Sequence, residues 1–572
     1  MMQDVSIVMC GAAGQGIQTV EQLLVGIFKN AGYNVYATKE YESRVRGGSN
    51  STELRISDSR VAAMVDRIDI MIPFDKAAIE HLRPRIDSET LVIADQDAFG
   101  SSSLNLPQEP VLLPFKAKAV EIGSRLYTNV VAVGAVTGLF DVDPAVGEAI
   151  LDQKFSSKGA DLVKENIEAL HAGNALGKRM REEKGLSFLM PRSADVADEI
   201  LLNGNQAVAL GAIAGGCNFI SAYPMSPSTG VLEMLSGLSH DFGIVVDQAE
   251  DEIAAMNKAV AAWFAGARAI VSTSGGGFDL MTEGLSMAGI MESPLVVHLA
   301  QRPGPATGLP TRTAQEDLDL AVYAGHGEFC RLVFAPGTIA QAFQLTQRAF
   351  NIADRYQIPV FILTDQDFVD SYYNIPTLSL SELRNEHHFV ETDEGYMRYR
   401  LTADGLSPRG VPGHGSGLVR ADSDEHDERG HITEDLDHMR PLMVEKRLHK
   451  RRRLIEDVLE EPEQYPEGRA SSYVICWGSN RNVVKEALDI LPSPGLAMLH
   501  FHQVFPVHPT IADKLAAAEK TIILENNATG QFANLLKIHA DHDIPAERRH
   551  LRYSGKPWSV EEVVDVLRQE GF

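Results

Sequence analysis

Residues 247–277 read DQAEDEIAAMNKAVAAWFAGARAIVSTSGGG. Behind the acids Glu250, Asp251 and Glu252, apolar side chains recur at Ile253, Met256, Val260 and Trp263. That is the spacing of a helix with one buried face. The apolar run Arg268–Ser272 then reads as a buried strand, and Thr273–Phe278 as a glycine loop. With a strand at Gly243–Asp247 in front, the stretch is a β-α-β unit, which requires a parallel sheet. Working outward, further strands are expected at Phe219–Tyr223, Pro294–Ala300, Arg331–Ala335 and Pro359–Thr364. Helical patterns lie between several of them, so residues 193–380 form a doubly wound domain. Ligands of such sheets sit at the carboxyl ends of the strands.

Two unusual loops fall at those ends. Residues 221–229 are SAYPMSPST and residues 301–311 are QRPGPATGLPT. Prolines stiffen such loops while hydroxyls keep them polar, and Arg302 carries the fork best suited to a carboxylate. Either loop alone is compatible with an ordinary strand-to-helix turn. Together, and with the segment between them, they point to an oxoacid site. Of the three acids at 250–252, at least two are accounted for as partners of the helix dipole.

The flanks extend the α/β pattern. Residues 1–180 read as a Rossmann-like domain, with a strand at Val5–Cys10, a turn at Gly11–Gly16 and a helix at Ile17–Asn30. Further strands are expected near Asn34–Thr38, Ile68–Pro73 and Thr90–Ala94, and the charged Lys178–Lys184 reads as a linker. Gly11, Gly14 and Gly16 could hold an anion on backbone amides at a helix start. Their GxxGxG spacing fits neither dinucleotide nor Walker loops, and a tight turn explains it equally well. Ser43–Asn50 adds Arg44 and Arg46 beside glycines, suiting a phosphate, a subunit contact or a plain exposed loop. Residues 381–465 read as an irregular excursion, with Gly405–His431 rich in small and acidic residues and Lys446–Arg453 basic. Asp424–Glu428 with His431 lacks a fixed ligand spacing and reads as solvated linker rather than metal site. Residues 466–572 form a small α/β domain with strands at Ser472–Gly478, Gly495–His500 and Thr521–Glu525 and helices at Asn482–Leu491 and after Thr510.

Composition narrows the function classes. The chain has 572 residues, 44% of them hydrophobic and 23% charged, as expected of an ordinary globular protein of roughly three or four domains. A formal charge of −26 without a long basic run argues against nucleic acid or an anionic membrane as partner. It suits a basic docking surface, or simply solubility. The chain enters a strand at Val5 without a signal-like segment, and no apolar run is bilayer-long. The four cysteines (Cys10, Cys217, Cys330, Cys476) stand singly, which excludes a cluster or zinc site and suits a cytoplasmic protein.

A glutamate followed by a helix, a strand and a glycine loop is how thiamine-dependent enzymes hold the aminopyrimidine, the acid bonding the ring nitrogen. On these segments the chain resembles the alpha subunit of 2-oxoacid:ferredoxin oxidoreductases, in the 2-oxoglutarate-type form with a gamma domain fused at the N-terminus. Gly11–Gly16 and Ser43–Asn50 look like gamma-domain motifs. Ser221–Thr229 and Gln301–Thr311 match the family's two central loops, and FHQVFPVHPT (501–510) and LENNATGQF (524–532) its small C-terminal domain. The likeness implies an α/β fold of three doubly wound or Rossmann-like domains: gamma (1–180), thiamine pyrimidine-binding (193–380) and transketolase C-terminal-like (466–572).

The resemblance further implies residue roles. Glu252, better placed than Glu250, would contact the aminopyrimidine beside Tyr223, Pro224 and Ser226. Arg302 would hold the substrate carboxylate and Thr311 would line the same pocket. Ser226 stands where the family has threonine, Met225 where it has isoleucine, and Gly276 where it has proline. No Gly-Asp-Gly segment for magnesium and diphosphate and no cysteine cluster is present. In this family Mg²⁺ and the [4Fe-4S] cluster belong to the beta subunit. The chain should therefore act only in an alpha2-beta2 assembly, with thiamine diphosphate as shared cofactor, coenzyme A as cosubstrate and ferredoxin as electron acceptor. The implied reaction is decarboxylation of 2-oxoglutarate to succinyl-CoA, reversible towards CO2 fixation as in a reductive TCA cycle. Pyruvate, branched-chain or broad 2-oxoacid specificity is the alternative. A non-catalytic acyl-CoA- or nucleotide-binding regulator is a second, against which Glu252, Arg302 and Thr311 together speak.

Overall fold

A computed structural model describes residues 4–12, 17–41, 49–100, 106–186, 188, 190–381 and 383–572. The fold is α/β, as the resemblance implies. The chain divides into two compact units. One comprises 1–202, 371–378 and 559–561, the other 203–370, 379–558 and 562–572.

The first unit holds an eight-stranded sheet in the order Val111–Leu113, Leu91–Asp95, Ile70–Pro73, Asp4–Ala12, Ser49–Ser57, Asn34–Glu40, Tyr372–Ile375, Ile200–Asn203. Its first four strands are parallel, which is the Rossmann-like half. Beyond Asp4–Ala12 the pairing turns antiparallel, so the sheet is mixed rather than parallel throughout. Val5–Cys10 is buried on both faces, as a covered sheet requires. The helix Ile17–Asn30 buries Val20, Leu23, Leu24, Ile27 and Phe28 against it. Lys178–Lys184 is not a linker: it completes the 25-residue helix Ala160–Lys184, closed by Gly185 in the left-handed region. That helix can lie close against Thr128–Leu139 because glycines face it. A Cβ on Gly138 or Gly177 would come within 2.2 or 2.0 Å of the opposite backbone.

The second unit is built on a seven-stranded sheet ordered Gln503–Phe505, Leu332–Phe334, Pro359–Asp365, Leu295–Gln301, Ala269–Thr273, Phe219–Ala222, Val245–Gln248. All pairs are parallel except the edge strand Gln503–Phe505. The chain runs from Phe219–Ala222 outward to Val245–Gln248, then crosses back to Ala269–Thr273. The winding reverses there, and in open α/β sheets the ligand crevice opens at that reversal. A five-stranded sheet, ordered Glu463–Tyr465, Leu496–Phe501, Ser472–Trp477, Lys520–Glu525, Arg549–Leu551, completes the unit.

Residues 381–465 are more regular than the composition suggests. Phe389–Thr392 pairs in parallel with Arg409–Gly415, and Met439–Asp457 is a 19-residue helix. The basic run within that helix is partly buried: Lys446 and Lys450 both reach the buried Glu292 carboxylate. A second buried cluster ties the excursion to the sheet, with Arg268 and Arg409 sharing Asp354. The Asp354 side chain is 0% exposed, so its removal strands two buried cations. Asp354→Ala is expected to cost about 3–5 kcal/mol, read as a unit-two transition at lower denaturant. The acids at 424–428 are not merely solvated linker. Glu425 is held by Arg440 and Arg447, and His426 is buried with its ring on Tyr399 at 3.8 Å. Among the described residues no group of His, Cys, Asp and Glu is arranged to hold a metal ion, and no helix is long and apolar enough to cross a membrane.

Candidate functional site at the sheet reversal

The three acids at 250–252 separate by geometry. Asp251 is the N-cap of the helix Glu252–Phe264, its carboxylate accepting from Ala254 N at 2.8 Å. Glu250 is on the surface, bonded to Lys258 at 3.0 Å. Glu252, in the first turn, points inward: it is 4% exposed and its Oε1 is buried without a hydrogen-bond partner. A bare carboxylate oxygen in such a position is costly unless something outside the chain completes it.

Facing it is the triple glycine. Thr273–Phe278, expected as a loop, instead ends one strand and starts the helix Gly275–Leu280. Glycine is required there by contact. A Cβ on Gly277 would lie 2.3 Å from Thr273 Oγ1 and 2.8 Å from Glu252 Oε1. A Cβ on Gly275 would lie 2.3 Å from a carboxylate oxygen of Asp317.

Arg302, directly after the strand Leu295–Gln301, joins the two proline loops. Its Nη1 donates to the Ser226 carbonyl at 2.7 Å, while its Nε is buried and unpartnered. Burial lowers the guanidinium pKa and nearby Asp317 opposes that. The Arg302 contact is thus to the Ser226 backbone rather than its hydroxyl. Ser226 and Pro224 are half-buried, Tyr223 is 41% exposed and Thr311 is buried. Unpartnered buried atoms recur around the same glycine turn, at Glu252 Oε1, Ser274 Oγ, Arg302 Nε and Asp317 Oδ2.

The Arg302 loop is fixed from behind by the small C-terminal sheet. Gln315 donates through its backbone to Asn526 O at 2.7 Å and through its side chain to Trp477 O at 3.0 Å. Its Oε1 accepts from Asn480 and from Asn526 N. Asn527 donates to Gln315 O, and Asp365 accepts from both Thr313 and Ser479. Glu525 anchors this cluster, accepting from Trp477, Asn527 and the backbone of Phe532 and Ala533. The LENNATGQF segment therefore acts by holding the loop that carries Arg302. Reading the sequence alone missed Gln315 and Asp317, whose acid-then-apolar setting looks like any helix start.

Gly11 belongs to the first unit and is a strand residue paired with Asn50 rather than the first residue of a turn. Gly14, Gly16 and most of the Ser43–Asn50 segment lie outside the described residues.

Comparisons with known proteins identify the family. A family profile described as "Pyruvate flavodoxin/ferredoxin oxidoreductase, thiamine diP-bdg" matches residues 210–445, and one described as "Pyruvate ferredoxin/flavodoxin oxidoreductase" matches residues 6–176. The alpha subunit of a 2-oxoacid:ferredoxin oxidoreductase from a Sulfolobus species is 32% identical over 97% of this chain and 95% of its own. The 2-oxoglutarate oxidoreductase subunit KorA of Mycobacterium tuberculosis is 27% identical over 94% of this chain and 87% of its own. Among solved structures, a 2-oxoglutarate:ferredoxin oxidoreductase from Magnetococcus marinus, with 2-oxoglutarate, coenzyme A and succinyl-CoA bound, superposes with a TM-score of 0.91 at 30% identity over 99% of both chains. With fold, profiles and full-length relatives in agreement, this chain belongs to the family of 2-oxoacid:ferredoxin oxidoreductase alpha subunits.

Proposed function

We propose that this chain is the half of a thiamine diphosphate-dependent 2-oxoglutarate:ferredoxin oxidoreductase that holds the aminopyrimidine and the oxoacid carboxylate. The observation that carries the reading is the buried, unpartnered Oε1 of Glu252 behind the Gly275–Gly277 turn. A heteroaromatic nitrogen bearing a proton would complete that oxygen, and Gly277, lacking a Cβ, leaves the carboxylate unobstructed. The residues present therefore fit the cofactor. Bound there, thiamine diphosphate supplies the nucleophilic carbon and electron sink that cleavage beside a ketone requires.

The chain's own residues would divide the remaining work. Glu252 holds or releases a proton at the ring nitrogen, which sets the tautomer of the amino group. Arg302, pinned by Ser226, presents its free edge to the oxoacid carboxylate and so orients the keto carbon. Thr311 and the half-buried Ser226 line the same space, with Tyr223 and Pro224 at its rim. The beta subunit would bring the magnesium, diphosphate and cluster sites, ferredoxin would take the electrons, and coenzyme A would take the acyl group, in an alpha2-beta2 assembly. Gly11, Gly14 and Gly16 remain candidates for an anion contact in the first unit.

Substrate preference is tested by co-purifying the chain with its beta subunit and comparing 2-oxoglutarate, pyruvate and branched oxoacids in CoA-dependent viologen reduction. The highest kcat/KM is expected for 2-oxoglutarate. Because archaeal relatives carry the broader 2-oxoacid name, comparable values across the panel would favour broad specificity instead. Gly277→Ala tests the ring slot. Overpacking against Thr273 and Glu252 is expected to cost about 1–3 kcal/mol, raising the half-saturating thiamine diphosphate concentration about tenfold. An unchanged value would place the ring elsewhere.

A further inference from the structure

Asp317 is the N-cap residue of the helix Leu318–Tyr323, yet its side chain makes no cap bond. The carboxyl turns instead against the glycine turn. Hypothetical Cβ contacts of 2.3 and 2.5 Å from Gly275 to its two oxygens show how closely it lies on that backbone. Its Oδ2 is buried with no hydrogen-bond partner. The Asp317 backbone NH donates to Gln301 Oε1 at 3.0 Å, which sets the residue beside the strand end from which Arg302 projects. Arg302 likewise keeps a buried, unpartnered Nε. The two groups feel each other's charge without an ion pair joining them among the described residues.

We propose that Asp317 is a positioning residue for Arg302: its carboxyl is a built-in second claimant on the guanidinium, and its ionisation decides how much of that charge is left for an oxoacid carboxylate.

The surroundings give the sign. The charged groups around the Asp317 carboxyl are Glu316 beside it, Asp279 on the helix Gly275–Leu280 and Arg302 on the strand-end loop. Glu252 lies behind the same turn, across Gly277, and Asp319 follows two residues on, in the first turn of the helix Leu318–Tyr323. Burial, reinforced by Glu316 and Asp279 and opposed by Arg302, pushes the Asp317 carboxyl up to about 7. Below that pH the carboxyl is neutral and the guanidinium charge is available to substrate. Above it the carboxylate offsets part of the Arg302 charge, and an incoming carboxylate meets a like charge. Substrate and Asp317 proton are then linked: each favours the other.

The inference rests on Arg302 taking the oxoacid carboxylate, and its test separates the two claims. With the assembled enzyme and its best oxoacid, KM is expected to rise about tenfold from about pH 6 to about pH 8, with kcat changing far less. The oxoacid carboxylate stays ionised throughout that range, so it contributes nothing to the slope. Asp317→Asn is expected to flatten the profile near the low-pH value while keeping kcat. A purely structural role would move stability or kcat, not the slope of KM. A flat wild-type KM profile, or a slope that survives in Asp317→Asn, overturns the inference. The wild-type profile decides even if the variant fails to assemble. If Arg302→Lys leaves KM unchanged, the reading of Arg302 itself has failed. If Arg302→Lys raises KM and the Asp317→Asn slope persists, only the role of Asp317 has failed.

Discussion

Glu252→Gln is expected to leave the protein folded and paired with its beta subunit while lowering kcat about 10²–10⁴-fold. The substitution keeps shape and volume, so packing against Gly277 and Thr273 is preserved. What changes is that an amide cannot exchange a proton with a ring nitrogen. Stability should therefore hold while activity collapses. Near-normal turnover would detach Glu252 from the chemistry and leave its buried, unpartnered oxygen unexplained. The neighbouring acids supply controls. Glu250→Gln breaks only a surface pair with Lys258 and should change turnover little.

Arg302→Ala is expected to lower kcat/KM for the oxoacid about 10²–10³-fold, the cost of removing one partner of a desolvated charge pair at about 3–4 kcal/mol. Lysine at the same position keeps the charge but loses the planar fork that bonds Ser226 O with one edge while presenting the other. It should recover part of the loss. The loss should be specific to the acid and its carboxylate, leaving the thiamine diphosphate requirement unchanged, because Glu252 starts a helix that follows a different strand, Val245–Gln248. Equal damage to both requirements would mean that Arg302 supports the whole crevice rather than the substrate.

The parts of this architecture legible in the sequence are those specified locally. Ile17–Asn30 follows from its apolar period, and each of the six central strands from a short apolar run before a turn. Elements whose burial is created elsewhere were not legible. Ser49–Ser57 (SNSTELRIS) carries only Leu54 and Ile56 as large apolar residues, yet it sits mid-sheet and turns the pairing antiparallel. The helix Met439–Asp457 looks like a solvated basic run because its buried lysines are neutralised by Glu292, far away in sequence.

The candidate site divides in the same way. Glu252 was distinguishable from Glu250 by its spacing to the glycine turn, and Arg302 by its loop. Asp317 was not, because its enclosure depends on Gly275, and its position beside Arg302 depends on a bond to Gln301. Nor was the C-terminal sheet's part, since Gln315 meets Asn480, Asn526 and Asn527 only after folding.

The central claim is that this chain contributes one wall of a shared site. Its most direct test is oxoacid-dependent, CoA-dependent viologen reduction with thiamine diphosphate, measured for the purified chain alone and again after assembly with its beta subunit. The account predicts no turnover by the chain alone and full turnover by the assembly. Turnover by the isolated chain would contradict it.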